Sequence, residues 1–434
     1  MKWSLALVVV VSALAPDVAA AQQWRPERPY RGLFGGGVAD TQQLLTVSAS
    51  AGAGWDKNIV AGLNGRNLLL GDGHGDFQGG ATFASTALSY SWNGVRAALG
   101  ASAGTTARYY PSLYSDVIRR DYASVGSSVL IGGGLSAQGS VGYQPYSLKG
   151  LLPELDGPRL GDPAIVDQDF PDSNVQYVSY SGGLNLLRRI SRRQTFTSSY
   201  SYHGRLSSDS IDPYHKQSAA ARLTRALGRG LDLRLGYGYS KAWYGERRRT
   251  YSTHSLDVGV DYDRALSFSR RTRLSFGTGT AAARRLGDAA FRFRATGDAR
   301  LTHEIGRTWT GSISYRRGFQ LVETWPEPVF SDSATAVVSG DITSRVQARL
   351  AARALRGSHW GGDYGDVATY SGVAGITWAL TRYLGTGLTY AYYRHDLAGG
   401  VALAPGFPNH FDGQTIRASV SVWAPVFQRA RRPE

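Results

Sequence analysis

Leu231-Asp232-Leu233-Arg234-Leu235-Gly236-Tyr237-Gly238-Tyr239-Ser240 is the stretch whose reading decides the fold. Leu231, Leu233, Leu235, Tyr237 and Tyr239 share one phase, and Asp232, Arg234, Gly236, Gly238 and Ser240 share the other. Successive side chains of an extended chain point to opposite faces, so the segment reads as a strand with one greasy and one polar face. The same split recurs outward from it. Phe291, Phe293, Ala295, Gly297, Ala299 and Leu301 oppose Arg292, Arg294, Thr296, Asp298, Arg300, Thr302 and Glu304; Leu256, Val258, Val260 and Tyr262 oppose Asp257, Gly259, Asp261 and Asp263. Trp309, Gly311, Ile313 and Tyr315 oppose Thr310, Ser312, Ser314 and Arg316, and Ile416, Ala418, Val420 and Val422 oppose Arg417, Ser419 and Ser421. The 3.6-residue stripe of soluble helices is missing throughout.

Composition agrees with strands and turns. The 434 residues include 54 Gly, 25 Tyr, 14 Phe and 10 Trp, with 16 Pro in no periodic array. With no Cys, disulfide frameworks, thiolate zinc sites, iron–sulfur clusters and cysteine nucleophiles are excluded. The formal charge is +15, carried mostly by arginine. At the N-terminus, Met1-Lys2-Trp3 precedes an apolar run from Leu5 to Ala15, then Pro16, Asp17 and Ala19-Ala20-Ala21. That is the layout of a secretory signal peptide, residues 1–21, cleaved after Ala21. The run is too short for a membrane helix, which takes roughly 17 to 25 apolar residues. Cleavage removes one Lys and one Asp, so the exported chain keeps its +15.

A soluble sandwich alternates too, so alternation alone leaves the solvent on each side open. Loop asymmetry closes that question. Short turns such as Asn93-Gly94, Gly132-Gly133-Gly134, Gly228-Arg229-Gly230, Gly306-Arg307 and Gly385-Thr386-Gly387 alternate with longer connections near 57–77, 107–118, 147–173, 322–333, 357–366 and 397–412. Short inner turns with long outer loops are the arrangement of outer-membrane barrels. Aromatics gather at both strand ends, Trp92, Tyr262, Trp309, Tyr383 and Trp423 by the short turns and Trp55, Tyr109, Tyr143, Trp243, Tyr251 and Tyr370 by the long connections, as two interfacial belts would. A chain exported without an apolar helix crosses a bilayer only as a closed barrel, because every backbone hydrogen bond must be satisfied.

The sequence therefore predicts an all-β, antiparallel up-and-down transmembrane barrel. Eighteen strands are expected at about 43–56, 78–91, 95–107, 119–131, 134–146, 174–189, 194–206, 215–226, 230–243, 250–263, 271–284, 290–304, 308–321, 334–343, 346–356, 367–381, 386–396 and 412–424, with 16 the other even count that fits. Residues 22–42 read as a periplasmic N-terminal segment, 43–427 as the barrel and 428–434 as a basic tail. The expected location is the outer membrane of a Gram-negative cell.

At this strand number the interior normally holds water, so the default function is a passive channel and not an enzyme. Arg222, Arg234, Arg273, Arg292, Arg294, Arg300, Arg316, Arg349, Arg353 and Arg417 fall in the polar phase. An Arg on the lipid side at mid-bilayer costs roughly 2 to 4 kcal/mol, which drives these side chains into the lumen. Fixed guanidinium charge there would favour small anionic solutes. Asp232, Asp257, Asp261, Asp263, Asp298 and Glu304 interleave with them, and pairing would weaken the field. Arg188, Arg189, Arg192 and Arg193 lie at a short turn and read as solvated turn charge.

The chain resembles the Gram-negative outer-membrane porin superfamily. The likeness is carried by the signal peptide, the alternation, the loop asymmetry, and a long acidic third connection after the fifth strand that contains Leu152-Pro153-Glu154-Leu155-Asp156-Gly157. It implies that this loop folds into the lumen, setting Glu154, Asp156, Asp162, Asp167, Asp169 and Asp172 as a constriction opposite the arginines; a plain surface loop is the other reading. It also implies outer-membrane lipid, lipopolysaccharide and the barrel-assembly machinery as partners. Family members commonly end on an aromatic residue, whereas here Phe427 precedes Gln428-Arg429-Ala430-Arg431-Arg432-Pro433-Glu434, so the end signal is displaced or carried by Val420-Ser421-Val422-Trp423.

Other chemistry finds little footing. The eight His show no metal-ligand spacing, and no nucleophile elbow or phosphate-binding loop appears, so no cofactor or metal is expected. His203 beside Ser201, and Gly71-Asp72-Gly73-His74-Gly75-Asp76, are explained by lumen lining and turn chemistry. Asp72 with Asp76, and Asp363 with Asp366, read as turn-formers before calcium ligands. Arginine spread over many strands makes no contiguous nucleic-acid patch. Two further functions stay open beside the channel: a barrel serving surface-polysaccharide export, and a structural or adhesive barrel with a closed lumen. Homo-oligomerisation also stays open.

Overall fold

The computed structural model describes residues 41–57, 78–111, 117–145, 176–207, 213–245, 249–266, 269–285, 292–320, 329–359, 366–397 and 410–430. The expected signal peptide and the acidic stretch of the third long connection lie outside the described residues.

Eighteen strands follow one another: β1 Thr41–Lys57, β2 Gln78–Asn93, β3 Ala97–Tyr109, β4 Val117–Gly132, β5 Leu135–Pro145, β6 Gln176–Ser191, β7 Gln194–Ser207, β8 Tyr214–Gly228, β9 Leu231–Tyr244, β10 Arg249–Leu266, β11 Ser269–Arg285, β12 Arg292–Ile305, β13 Trp309–Gln320, β14 Val329–Thr343, β15 Val346–His359, β16 Asp366–Ala379, β17 Leu384–Leu397 and β18 His410–Ala430. Each pairs antiparallel with its neighbours in sequence, and β1 pairs with β18, so the sheet closes on itself. Closure removes the unpaired edges that would otherwise need covering.

Paired residues share a face, so the register sorts the side chains of the whole wall. The phase of Leu233, Leu235 and Tyr237 continues into Leu256 and Val258, then Phe276, Leu301 and Ile313, and these are exposed large apolar groups. The opposite phase supplies most of the buried polar residues, among them Thr46, Asp56, Ser91, Thr106, Arg108, Ser331, Thr369 and Thr415. Water would drive such an apolar exterior to aggregate, whereas hydrocarbon accepts it. The architecture is that of a membrane-spanning barrel. Its shortest strand, β5, has 11 residues, which meets the roughly 9 to 11 needed to cross.

Glycine serves this wall by letting large rings lie flat across the neighbouring strand. A Cβ on Gly204 would sit 2.3 Å from Tyr180 Cζ, and one on Gly413 2.2 Å from Tyr393 Cζ. In the β4–β5 turn, Gly132, Gly133 and Gly134 all have positive φ, at 124°, 60° and 84°.

Three expectations are corrected. β14 starts at Val329 instead of 334: Ser331-Asp332-Ser333 looks like a turn, but Asp332 is held on the outer face by Tyr315 and Arg317. β18 continues past Pro425 to Ala430 through a register shift against β1, the kind of irregularity at which a strand tolerates proline. Gln428 and Arg429 therefore pair with Leu44 and Gln43, and the stretch read as a tail begins inside the strand, while β1 starts at Thr41. Trp423, taken for a belt residue, is on the inward phase opposite Ser48 and is buried.

Candidate functional site

Antiparallel pairing sets the inward charges in rows. From β10 to β13, Asp261 faces Gly277, Gly277 faces Asp298, and Asp298 faces Arg316. On β9, Arg234 pairs its guanidinium with Asp261 and donates from Nη2 to the carbonyl of Thr278 at 2.9 Å. Gly277 leaves the space in which these groups meet, since a Cβ there would lie 2.8 Å from Asp261 Oδ1, 3.0 Å from Asp298 Oδ1 and 3.2 Å from Arg234 Nη1. Asp298 also feels Arg316 and Arg222 electrostatically. The result is a charged wall spanning β8 to β13.

The other expected arginines take the same inward phase by register. Arg273 reaches Asp263 with Nε at 2.6 Å and Nη2 at 2.9 Å, near the short-turn end. Arg294 and Arg300 stand on β12 with Asp298, and both are exposed. Arg349 and Arg353 occupy β15, opposite Ser339 and Thr335. The side chains of Arg292 and Asp257 lie outside the described residues, as do Glu154, Asp156, Asp162, Asp167, Asp169 and Asp172. The expected lumen arginines are thus spread over many strands, and the geometry gathers Arg222, Arg234 and Arg316 around two carboxylates.

The wall from β1 to β6 is different. Its inward mid-strand residues are small and uncharged, and their hydroxyls pair across strands: Ser50 with Ser85 at 2.7 Å, Ser102 with Ser124 at 2.8 Å, and Ser140 with Ser181 at 2.7 Å. Charge is concentrated on one side of the bore.

A second cluster was missed from sequence. Asp56 on β1, Phe83 on β2, Tyr110 after β3 and Arg417 on β18 converge inside the barrel at the long-connection end. Tyr110 donates its hydroxyl to Asp56 Oδ2 at 2.9 Å, Arg417 Nη2 stands 3.6 Å from the same oxygen, and the guanidinium lies 5.7 Å over the Phe83 ring. Burial pushes the Tyr110 hydroxyl up to about 12, so it stays a donor. Gly52 and Gly54 are the seats: Cβ atoms there would meet Phe83 Cζ at 2.6 Å and Arg417 Cγ at 2.8 Å. Strand parity flags Asp56 and Arg417 as inward, but their meeting depends on the β1–β18 closure.

Among the described residues no cluster of metal-ligating side chains occurs. Among the described residues no helix is long and apolar enough to cross a membrane, which says nothing of strands.

No family model matches this chain, and no curated protein matches it either. Solved structures do. The chain is similar to OpdQ of Pseudomonas aeruginosa, with TM-score 0.44 and 11% identity over 89% of this chain and 98% of that one. It is similar to OccAB4 of Acinetobacter baumannii at TM-score 0.42 and 9% identity, covering 89% and 99%. A loop-deletion form of OmpT, an outer membrane protein of Vibrio cholerae, gives TM-score 0.33 and 10% identity over 88% and 100%. The barrel itself rests on the strand pairing and not on these likenesses.

Proposed function

We propose that this chain is an outer-membrane channel through which small hydrophilic, preferentially anionic solutes diffuse passively, with the short turns facing the periplasm. One observation carries the reading: Arg294, Asp298, Arg300 and Arg316 sit on the inward phase and are nonetheless exposed, so water reaches them from within the barrel. Inward arginines outnumber inward carboxylates on the charged wall, which raises the local anion concentration and repels cations. The constriction loop and the dependence on lipopolysaccharide and barrel-assembly machinery belong to the same proposal.

Planar-bilayer recording of the purified barrel under a salt gradient tests it. Stable steps with a reversal potential on the anion side support it, and replacing Arg294, Arg300 and Arg316 together by Glu moves that potential toward the cation side. Cation selectivity in the unaltered protein refutes it. The closed-lumen alternative has an observation of its own, because Asp56, Arg108, Arg205, His395 and Arg417 are inward, polar and each at most 7% exposed. Silence in the bilayer favours that reading, and current blocked by an acidic polysaccharide favours export.

A further inference from the structure

The two ends of the barrel treat arginine differently. At the long-connection end the outward-phase arginines whose side chains are described are paired: Arg119 with Asp121 at 2.9 Å, Arg317 with Asp332 at 3.6 Å, Arg356 with Asp366 at 3.5 Å and Arg394 with Asp396 at 3.0 Å. At the short-turn end every connection except the glycine turn between β4 and β5 has an arginine in it or within three residues of it. Those whose side chains are described are exposed, and none has an ion-pair partner among the described residues.

Their direction matters more than their number. Arg264, with Arg188 and Arg225, which stand four residues before their turns and are likewise exposed and without an ion-pair partner among the described residues, is on the outward phase, since the three pair with Leu274, Phe196 and Leu233. A lumen function does not reach them. Arg264 stands two residues beyond Tyr262, whose ring stacks on Phe276 at 5.6 Å on the outer face. At about 3.3 Å per residue that sets the Arg264 Cα roughly 7 Å beyond that of Tyr262, toward the short turn. Rings of this kind sit at the headgroup boundary, so the guanidinium falls at phosphate depth, with its apolar stem along the wall. Between two neighbouring turns, Arg345 and Arg382 share an open cleft with Thr381 and Tyr383, and the Arg382 guanidinium lies 4.6 Å over the Tyr383 ring. A planar fork held in this way suits bidentate contact with a phosphodiester.

We propose that the short-turn rim is a binding collar for the phosphate headgroups of anionic phospholipid in the leaflet it meets. A soluble polyanion below the mouth would not account for arginines turned outward toward lipid. The collar rests on the membrane-spanning reading given above, and it fixes the barrel's depth and seat in the bilayer by charge.

The test uses the full mature chain in bilayer discs of equal phosphatidylcholine and phosphatidylglycerol, with lipid retained after gentle extraction measured by mass spectrometry. The unaltered protein is expected to retain phosphatidylglycerol about threefold over phosphatidylcholine, less so at high salt. R188Q/R225Q/R264Q/R382Q is expected to retain both equally, while R119Q/R317Q/R356Q/R394Q, the same charge change at the other end, keeps the preference. Equal retention by the unaltered protein overturns the collar. So does arginine-dependent capture of polyphosphate by the micellar protein without any lipid preference. Insertion into pure phosphatidylcholine vesicles, read by protease protection, separates the two claims: a protein that inserts without preference loses the collar alone, and one that never inserts loses the membrane-spanning reading with it.

Discussion

Removing Arg417 should loosen the barrel where it closes. In R417M, Asp56 is left 6% exposed beside a methionine, retaining the Tyr110 hydroxyl on Oδ2 and no partner on Oδ1. Breaking a buried ion pair by deleting one partner typically costs about 3 to 5 kcal/mol. The 3.6 Å separation is long for a direct pair, which puts this case near the lower figure. Loss of the guanidinium over Phe83 adds about 0.5 to 1 kcal/mol, for a total near 4 kcal/mol. The double variant D56N/R417M removes the orphan charge while its amide oxygen still accepts from Tyr110, so most of the loss returns. A coupling of about 2 to 3 kcal/mol is expected from the cycle. Reversible urea unfolding in micelles, followed by tryptophan fluorescence and by the gel mobility of the folded barrel, measures all four corners. If D56N/R417M is no more stable than R417M, or R417M matches the unaltered protein, the cluster does not latch the β1–β18 seam.

Two neighbouring faces should respond oppositely to one new charge. L235R, at a 55% exposed outward site, should cost roughly 2 to 4 kcal/mol or block insertion, whereas S218R, inward on β8, should insert normally; the folded fraction in vesicles reads both. In the glycine turn, G134A should lose at least about 2 kcal/mol, because φ is +84° and a Cβ would stand 1.9 Å from the Leu187 carbonyl oxygen. G133A, at φ +60° with nothing within 4 Å, should lose only about 1 kcal/mol in the same unfolding assay.

The alternation in Leu231–Ser240 carries the fold because two-faced strands write their pairing into every second residue, and closure follows once the short and long connections alternate. Strand ends are less legible where polar residues do strand work. Asp332 resembles a turn former until its outward partners, Arg317 and Tyr315, are known. Pro425 resembles a terminator until the bulge opposite Leu45 and Thr46 absorbs it. Phase gives each charge its side of the wall, so the inward register of Arg234 and Arg316 could be read from one segment at a time. Who meets whom could not. Asp56 and Arg417 touch because the first and last strands pair, and the groups that meet over Gly277 come together only when four strands, β9 to β12, lie side by side.

The chain has no cysteine, so single cysteines at 233 through 238 on β9 can each carry a nitroxide in the reconstituted barrel. Collision rates with oxygen dissolved in lipid and with a water-soluble nickel chelate then report the solvent at each position. High oxygen access at 233, 235 and 237, alternating with high nickel access at 234, 236 and 238, is the expected result. Uniform nickel access along the strand, or a 3.6-residue period, would contradict a wall with hydrocarbon on one side and water on the other.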